Sequence, residues 1–510
     1  MDKPIAHYFE DTFSAYPEKR AIVFYRKGRK ETELTCRQLD EESNRAANAL
    51  RAMGVHKGER VILFLPKSLA FVVVYIGLQK IGAISVPLNP SFKKTEMKYF
   101  IEDADPSVIV CGKAQQRIVD DLAKGRLVMA VDTELPYQDF ELFRGFSTEA
   151  VAENINPDDP AMIIYTSGTT GKPKGAVLTN ANLVHDALSV IHVWEINSKD
   201  VICHALPLFH VHGLCFAFHT ALMAGAAIVM LDQFRPEHVI RLLSKKDGYD
   251  VCTVFMAVPA MYIRLLDYLG DRRPDFSHIR LWASGSAPLL PKHFEQIREV
   301  FGKEPVEREG MSETGMNFSN PLYGKRKPGS VGIPLPDLEV RIVDPVSCKD
   351  MPFGEVGEIW LRGPSITPGY WRKPDETREA FVEGWFRTGD LGRVDEDGYF
   401  YITDRIKHII ISGGENISPK EIEDVINQHP DISESCVVGV PDERWGERVV
   451  AAVVPRAGAS VDPQELRTYC RRYLHDWKCP KEICVVSGLP KNTMGKVLKQ
   501  EVRGMFVIEA

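Results

Sequence analysis

Between Tyr165 and Gly175 the chain reads YTSGTTGKPKG, directly after the apolar run AMII. Small hydroxyl residues and glycines expose backbone N–H groups and remove side-chain bulk, while Lys172 and Lys174 add positive charge. A stretch of this kind behind a buried strand forms a cradle for a polyphosphate, where a surface loop has no need of so many phosphate donors. The GxxxxGK[ST] pattern of P-loop proteins is absent, so kinase and GTPase readings weaken. His204, His210 and His212 could place imidazoles on one side of a strand, but no further ligand of suitable type follows at zinc spacing. Packing or substrate contact is the expected role of these histidines.

The rest of the chain has to position that loop. From about Ile22 to Val110, apolar helix-like stretches alternate with β-branched runs such as Val61 to Leu65, Ile84 to Val86 and Val108 to Val110. The rhythm returns with Met162 to Tyr165, Ile228 to Leu231, Val251 to Phe255 and Ile279 to Ala283. Parallel sheets covered by helices, an α/β architecture, follow from it. After Val331 short strands with frequent Gly and Pro predict a small antiparallel barrel or sheet. After Asp404 a helix at Pro419 to Gln428, strands around Cys436 to Val440 and Val449 to Val454, and a helix at Pro463 to Leu474 predict a compact α+β unit. The expected division is an N-terminal domain over 1–404 and a C-terminal domain over 405–510.

Composition narrows the function. The 510 residues exceed one ordinary hydrophobic core, and 44% hydrophobic with 26% charged residues is a globular composition. A net charge of -7 offers no basic face for nucleic acid. The apolar runs Leu69 to Leu78 and Ala221 to Leu231 are about half of the roughly 20 residues a membrane-spanning helix needs. The charged N-terminus MDKPIAHYFEDTF and ten cysteines without CxxC pairs predict no export signal, reduced thiols and a cytoplasmic protein.

Other motifs extend the loop into a pattern. Ser284 to Leu289 reads SGSAPL, Gly310 to Thr314 GMSET, Trp385 to Asp390 WFRTGD, Thr403 to Glu423 TDRIKHIIISGGENISPKEIE, and Pro490 to Lys499 PKNTMGKVLK. In this order, over nearly the whole chain, they resemble the adenylate-forming superfamily, which includes acyl-CoA synthetases, luciferases and the adenylation domains of peptide synthetases. The resemblance implies a large N-terminal domain of stacked α/β subdomains with a small β-barrel-like subdomain, followed by a small mobile α+β C-terminal domain.

It also implies ATP, Mg²⁺ and coenzyme A as ligands, and an acid activated as acyl-adenylate before transfer to the thiol. The phosphates would be held by Thr166, Ser167, Gly168, Thr169, Thr170 and Lys174. Gly285, Ser286 and Ala287 would line the adenine, with Gly310, Met311 and Ser312 beside it. Asp390 would take both ribose hydroxyls, a task for two acceptor oxygens, and Arg405 and Gly414 would also touch the nucleotide. Glu313 and Thr166 would hold Mg²⁺. Lys496 is similar to the lysine of the adenylation step and Lys407 falls at the hinge, about which such enzymes rotate the small domain between half-reactions.

The acid pocket is expected near LPLFHVHGL (Leu206 to Leu214), where His210 matches a position beside the carboxylate and the entering thiol; Met316 is a further candidate. HALPLFHVHG, IRLWASGSAPLL and GMSETGMNFSNP look like malonyl-CoA synthetases, where an arginine matching Arg280 grips a second carboxylate. Plant coumarate ligases carry an arginine there too, so a small dicarboxylate, a medium or long fatty acid and an aromatic acid all stay open. The chain departs from the family at Glu309, which stands where an aromatic residue usually stacks on adenine. A ligase loading a carrier protein, or a non-catalytic acyl-nucleotide-binding protein, is the alternative.

Overall fold

The computed structural model describes residues 3–137, 143–166, 172–245, 250–412, 415–442, 444–492 and 495–506, apart from the side chain of Asn416. The chain packs into two compact units, Met1–Glu339 with Arg362–Phe386, and Val340–Leu361 with Arg387–Ala510.

Two large sheets run through the described residues of the first unit. One runs in hydrogen-bonded order Ile333–Pro334, Gly315–Ser319, Val306–Met311, Leu281–Ser284, Val254–Ala257, Val201–His204, Ala227–Leu231, Arg20–Arg26, Arg29–Thr35. Its centre is parallel, from Arg20–Arg26 through to Val306–Met311, and both edges are antiparallel. The other runs Gly369–Tyr370, Lys174–Thr179, Pro160–Thr166, Ile84–Pro87, Arg60–Phe64, Val108–Gly112, Leu127–Val131. The run Leu69 to Leu78 lies in the helix Leu69–Lys80, buried at every position, which explains why it is apolar all round. Ser68 caps this helix, its Oγ accepting the Phe71 N–H. Among the described residues no helix is long and apolar enough to cross a membrane.

The strands Glu339–Val343, Gly357–Arg362, Trp385–Val394 and Phe400–Arg405, most of whose residues belong to the second unit, line up in that order. A further sheet has the order Glu415–Ile417, Ile410–Ser412, Gly446–Pro455, Ile432–Asp442, with Glu482–Val485 parallel to Gly446–Pro455. Alternation splits this sheet into two apolar faces. Val437, Val449 and Ala451 pack with Ile422, Ile426 and Leu466, while Cys436, Val438 and Val450 pack with Leu489, Val502 and Phe506. Position 404, where the change of texture suggests a boundary, lies inside this unit. Asp404 Oδ2 accepts the Ser418 hydroxyl at 3.0 Å and the Lys420 N–H at 3.1 Å, tying the strand that ends at Arg405 to the start of the helix Pro419–Asn427.

Candidate active site

The strands Pro160–Thr166 and Lys174–Thr179 form a hairpin in which Thr166 lies opposite Lys174, so the Gly-rich loop closes its end. Ser167, Gly168, Thr169 and Thr170 lie outside the described residues. The loop's base is braced by aromatic side chains: Tyr165 donates to Asp103 at 2.7 Å and Tyr99 to the Pro173 carbonyl at 2.6 Å. The ammonium of Lys174 stands 5.3 Å from the centre of the Tyr370 ring.

Two expected metal residues meet here. The Thr166 hydroxyl donates to Glu313 Oε1 at 3.1 Å, and the Tyr370 hydroxyl donates to the same oxygen at 3.2 Å. Glu313 is buried. Hard oxygen donors fit Mg²⁺, which favours one or two carboxylates with phosphate oxygens over a closed protein cage.

Gly310, Met311 and Ser312 stand at the bend between Val306–Met311 and Gly315–Ser319. A Cβ at Gly310 would come 2.6 Å from the Gly315 carbonyl oxygen, so only glycine fits. Beyond the strand Leu281–Ser284, Ser286 holds φ at +69°, a left-handed conformation rare for a residue with a Cβ. That turn exposes Ser286, leaves Ala287 half-buried, and brings the Ser286 Oγ within 3.1 Å of His212 Nδ1.

The histidine-rich stretch becomes a buried π-helix, His212–His219. Its second residue must be glycine, because a Cβ at Gly213 would collide with the Pro207 carbonyl. His204 donates its Nε2–H to the Gly213 carbonyl at 2.8 Å, so its Nδ1 accepts from the Lys67 ammonium at 2.8 Å. Burial pulls His210 down to about 4, so its imidazole is neutral at neutral pH. Met316, another expected acid contact, is buried, and its N–H donates to Asp186 Oδ1 at 2.8 Å.

The expectation for Arg280 needs correcting. Its Nε donates to Asp200 Oδ1 at 2.7 Å, Nη2 to Oδ2 at 2.6 Å, and Nη1 to the Trp194 carbonyl at 2.9 Å. The fork that would hold a substrate carboxylate already holds a protein one. The arginine that sequence reasoning missed is Arg308, in the strand Val306–Met311. It is 2% exposed, and its Nε, Nη1 and Nη2 have no hydrogen-bond partner. Its Cζ lies 4.8 Å from the centre of the Phe216 ring on the π-helix, and a Cβ at Gly285 would come 2.6 Å from its Nε. Burial pulls its pKa down to about 10, which leaves it charged. His212 Nε2 and Ser284 Oγ are likewise buried without partners. Glu309, in place of the usual aromatic residue, accepts a hydrogen bond from Asn317 Nδ2 at 3.0 Å.

In the second unit Asp390 and Arg405 are opposite one another on paired strands. Arg405 Nε lies 2.6 Å from Asp390 Oδ1, and Nη2 donates to Oδ2 at 3.2 Å. Lys496 has an exposed side chain, yet the crowded shell around it dominates its titration. Desolvation comes first and the Arg405 charge second in lowering it to about 8, with Lys407 and Lys499 adding to the effect and Asp390 opposing it. A group of cations around one carboxylate suits an anionic nucleotide. Gly414 lies outside the described residues.

Known proteins match this arrangement throughout the chain. The model of the AMP-binding enzyme family matches residues 9–371, and that of the AMP-binding enzyme C-terminal domain matches residues 421–496. The mitochondrial malonate–CoA ligase of Mus musculus is 37% identical over 475 residues, 87% of this chain and 81% of the relative. A long-chain-fatty-acid–CoA ligase of Bacillus subtilis is 33% identical over 98% of this chain and 94% of the relative. ATP-bound MatB from Rhodopseudomonas palustris superposes with a TM-score of 0.91 at 36% identity, covering 99% of each chain. The chain belongs to the AMP-binding enzyme family and is an AMP-forming acyl-CoA ligase.

Proposed function

We propose that this ligase activates a small dicarboxylate, with malonate the first candidate, and that Arg308 receives the carboxylate that does not react. The observation that carries this reading is a fully buried guanidinium with three unpartnered nitrogens beside the histidine-rich stretch. Burying a guanidinium whose N–H donors meet no acceptor is costly. A fatty acid would add methylenes against it, whereas a carboxylate supplies two acceptor oxygens in matching geometry. His212 Nε2 and Ser284 Oγ are further groups able to contact that anion. The malonate–CoA ligase among the relatives supports the reading, and the fatty-acid ligase is its competitor.

In this mechanism the reacting carboxylate of the acid attacks the α-phosphate of ATP, releasing pyrophosphate, and the coenzyme A thiol then displaces AMP. Two anions meet in the first step, so cations and aimed N–H groups are needed where charge gathers. The Gly-rich loop and Lys174 would hold phosphate oxygens, Asp390 would accept the ribose hydroxyls, and Lys496 would neutralise charge at the adenylation step. Glu313 and Thr166 would hold Mg²⁺, which when bound supplies charge neutralisation on the phosphates. His210, neutral at working pH, adds no charge that would favour either acid class.

The test compares kcat/KM for malonate and hexanoate in the wild type and in Arg308→Met. A lost buried charge partner predicts a fall of about a hundredfold or more for malonate with hexanoate held or improved. An equal fall for both acids would assign Arg308 to stability and favour the fatty acid.

A further inference from the structure

Three side chains at the phosphate hairpin share one face of a sheet. Thr166 lies opposite Lys174 and Ile164 opposite Ala176, while Tyr370, in the edge strand Gly369–Tyr370, pairs with Ala176 from the other side. Residues that are opposite one another, or two apart along a strand, point to the same face, so Thr166, Lys174 and Tyr370 stand together there. Glu313 reaches the same place from the bend after Val306–Met311. The Tyr370 hydroxyl donates to its Oε1 at 3.2 Å and the Thr166 hydroxyl at 3.1 Å. The Lys174 ammonium lies 5.3 Å from the centre of the Tyr370 ring. One tyrosine thus touches both the buried carboxylate and the lysine of the loop.

The segment that carries Tyr370 is itself well tied. Thr367 donates its N–H to the Glu313 carbonyl at 2.7 Å, so this segment holds the backbone of Glu313 as well as its carboxylate. Trp371 donates its N–H to the Gly175 carbonyl at 2.8 Å and its Nε1–H to the Asp103 carbonyl at 3.1 Å. The Tyr370 N–H goes to the Thr377 hydroxyl at 2.9 Å. Gly369 holds φ at +149°, and a Cβ there would come 2.5 Å from Thr377 Cγ2, so the close approach needs glycine. Both hydroxyl donors go to Oε1, and among the described residues Glu313 Oε2 accepts none. A carboxylate with one oxygen held in this way keeps the other for a cation.

We propose that Tyr370 is a positioning residue for adenylation: its hydroxyl orients the Glu313 carboxylate toward the metal, and its ring seats the lysine that meets the phosphates. The proposal rests on the roles given above to Glu313, Thr166 and Lys174. Donors behind a metal-ligating carboxylate fix its orientation, and losing one typically costs about 10–100-fold in metal affinity. The ring acts separately, through attraction of an ammonium to its π face, and phenylalanine would preserve that contact. Removing one oxygen atom therefore separates the two contributions.

The experiment measures, by calorimetry on the full chain, the dissociation constant of α,β-methylene-ATP in EDTA and with saturating Mn²⁺. The ratio of the first constant to the second reads what the metal contributes. Tyr370→Phe should shrink that ratio about tenfold, all of it from weaker binding of the Mn²⁺ complex, with metal-free affinity unchanged. Tyr370→Leu, which lacks the ring too, should in addition weaken the metal-free nucleotide about two- to fivefold. An unchanged ratio in Tyr370→Phe overturns the proposal, even where both affinities fall, because lost packing weakens both states alike. Equal metal-free affinity in the two variants would overturn the seating of Lys174. Glu313→Gln tests the assignment beneath: if it shrinks the ratio and Tyr370→Phe does not, the role of Tyr370 falls alone. A wild-type ratio near one, or an undiminished ratio in Glu313→Gln, would remove the metal assignment and the proposal with it.

Discussion

Arg280 and Asp200 form a two-pronged ion pair, 2.7 Å from Nε to Oδ1 and 2.6 Å from Nη2 to Oδ2, between residues eighty positions apart. Asp200 also accepts the Thr253 hydroxyl at 2.7 Å and the Asn197 N–H at 3.0 Å, so its carboxylate is fully used. Arg280→Met leaves that carboxylate without its cation. The arginine is 29% exposed in its side chain and Asp200 only 4%, so we expect a loss of about 2–3 kcal/mol in stability, below the figure for a fully buried pair. Thermal unfolding should show the loss, while the ratio of kcat/KM for malonate to that for hexanoate stays put. A change in that ratio would return Arg280 to the acid pocket.

Lys496→Ala should slow adenylation by roughly 10²–10³, as for the loss of one aimed charge, and leave thioester formation from supplied acyl-AMP largely intact. Pyrophosphate exchange reads the first half-reaction and thioester release the second. Equal losses in both would contradict a role confined to adenylation.

The titration of Lys496 gives a separate prediction. Its pKa is lowered to about 8, so the cation is present below that pH and is lost as pH rises through it. Pyrophosphate exchange should fall above about pH 8, and Lys496→Arg, which stays charged, should remove that limb if the longer side chain is accommodated. A wild-type profile flat through pH 9 would show that the charge of Lys496 is not needed.

Glu309→Tyr offers adenine a stacking face at the cost of the bond from Asn317 Nδ2. A stacking contact worth about 1 kcal/mol, the lower end of its range, lowers the KM for ATP about fivefold. A rise in KM would mean that the Glu309 carboxylate itself serves the nucleotide.

Asp404 caps a helix that its own N-cap residue leaves uncapped, since the Ser418 hydroxyl is turned toward Asp404 instead. Asp404→Ala should cost about 1 kcal/mol or somewhat more, seen as faster amide exchange over Pro419–Asn427. Burial opposes ionisation of this carboxyl, but its bonds to His408 and to backbone N–H groups win and hold it below the usual range. Its contribution is therefore present above the ordinary carboxylate pKa and is lost as pH falls through the lower, folded value. Unchanged exchange in the variant would show that the cap is dispensable.

The strand that ends at Thr166 was legible because its apolar run leads straight into a glycine-rich turn, whereas the meeting of Thr166 with Glu313 followed only from the family resemblance, since the two stand far apart in sequence. The α/β rhythm was legible in apolar runs of strand and helix length. Arg308 was not. In sequence it is one charge between Glu307 and Glu309, and its burial arises from tertiary packing against Phe216 and Gly285. Arg280 misled because the partner that occupies it lies far along the chain. The π-helix His212–His219 was hidden too, since its apolar composition suits any buried element.

The most direct measurement is coenzyme A-dependent release of AMP from ATP by the wild-type protein, with malonate and hexanoate assayed side by side. The account predicts thiol-dependent AMP release with a clearly higher kcat/KM for malonate. Efficient turnover of hexanoate with little or none of malonate would contradict it.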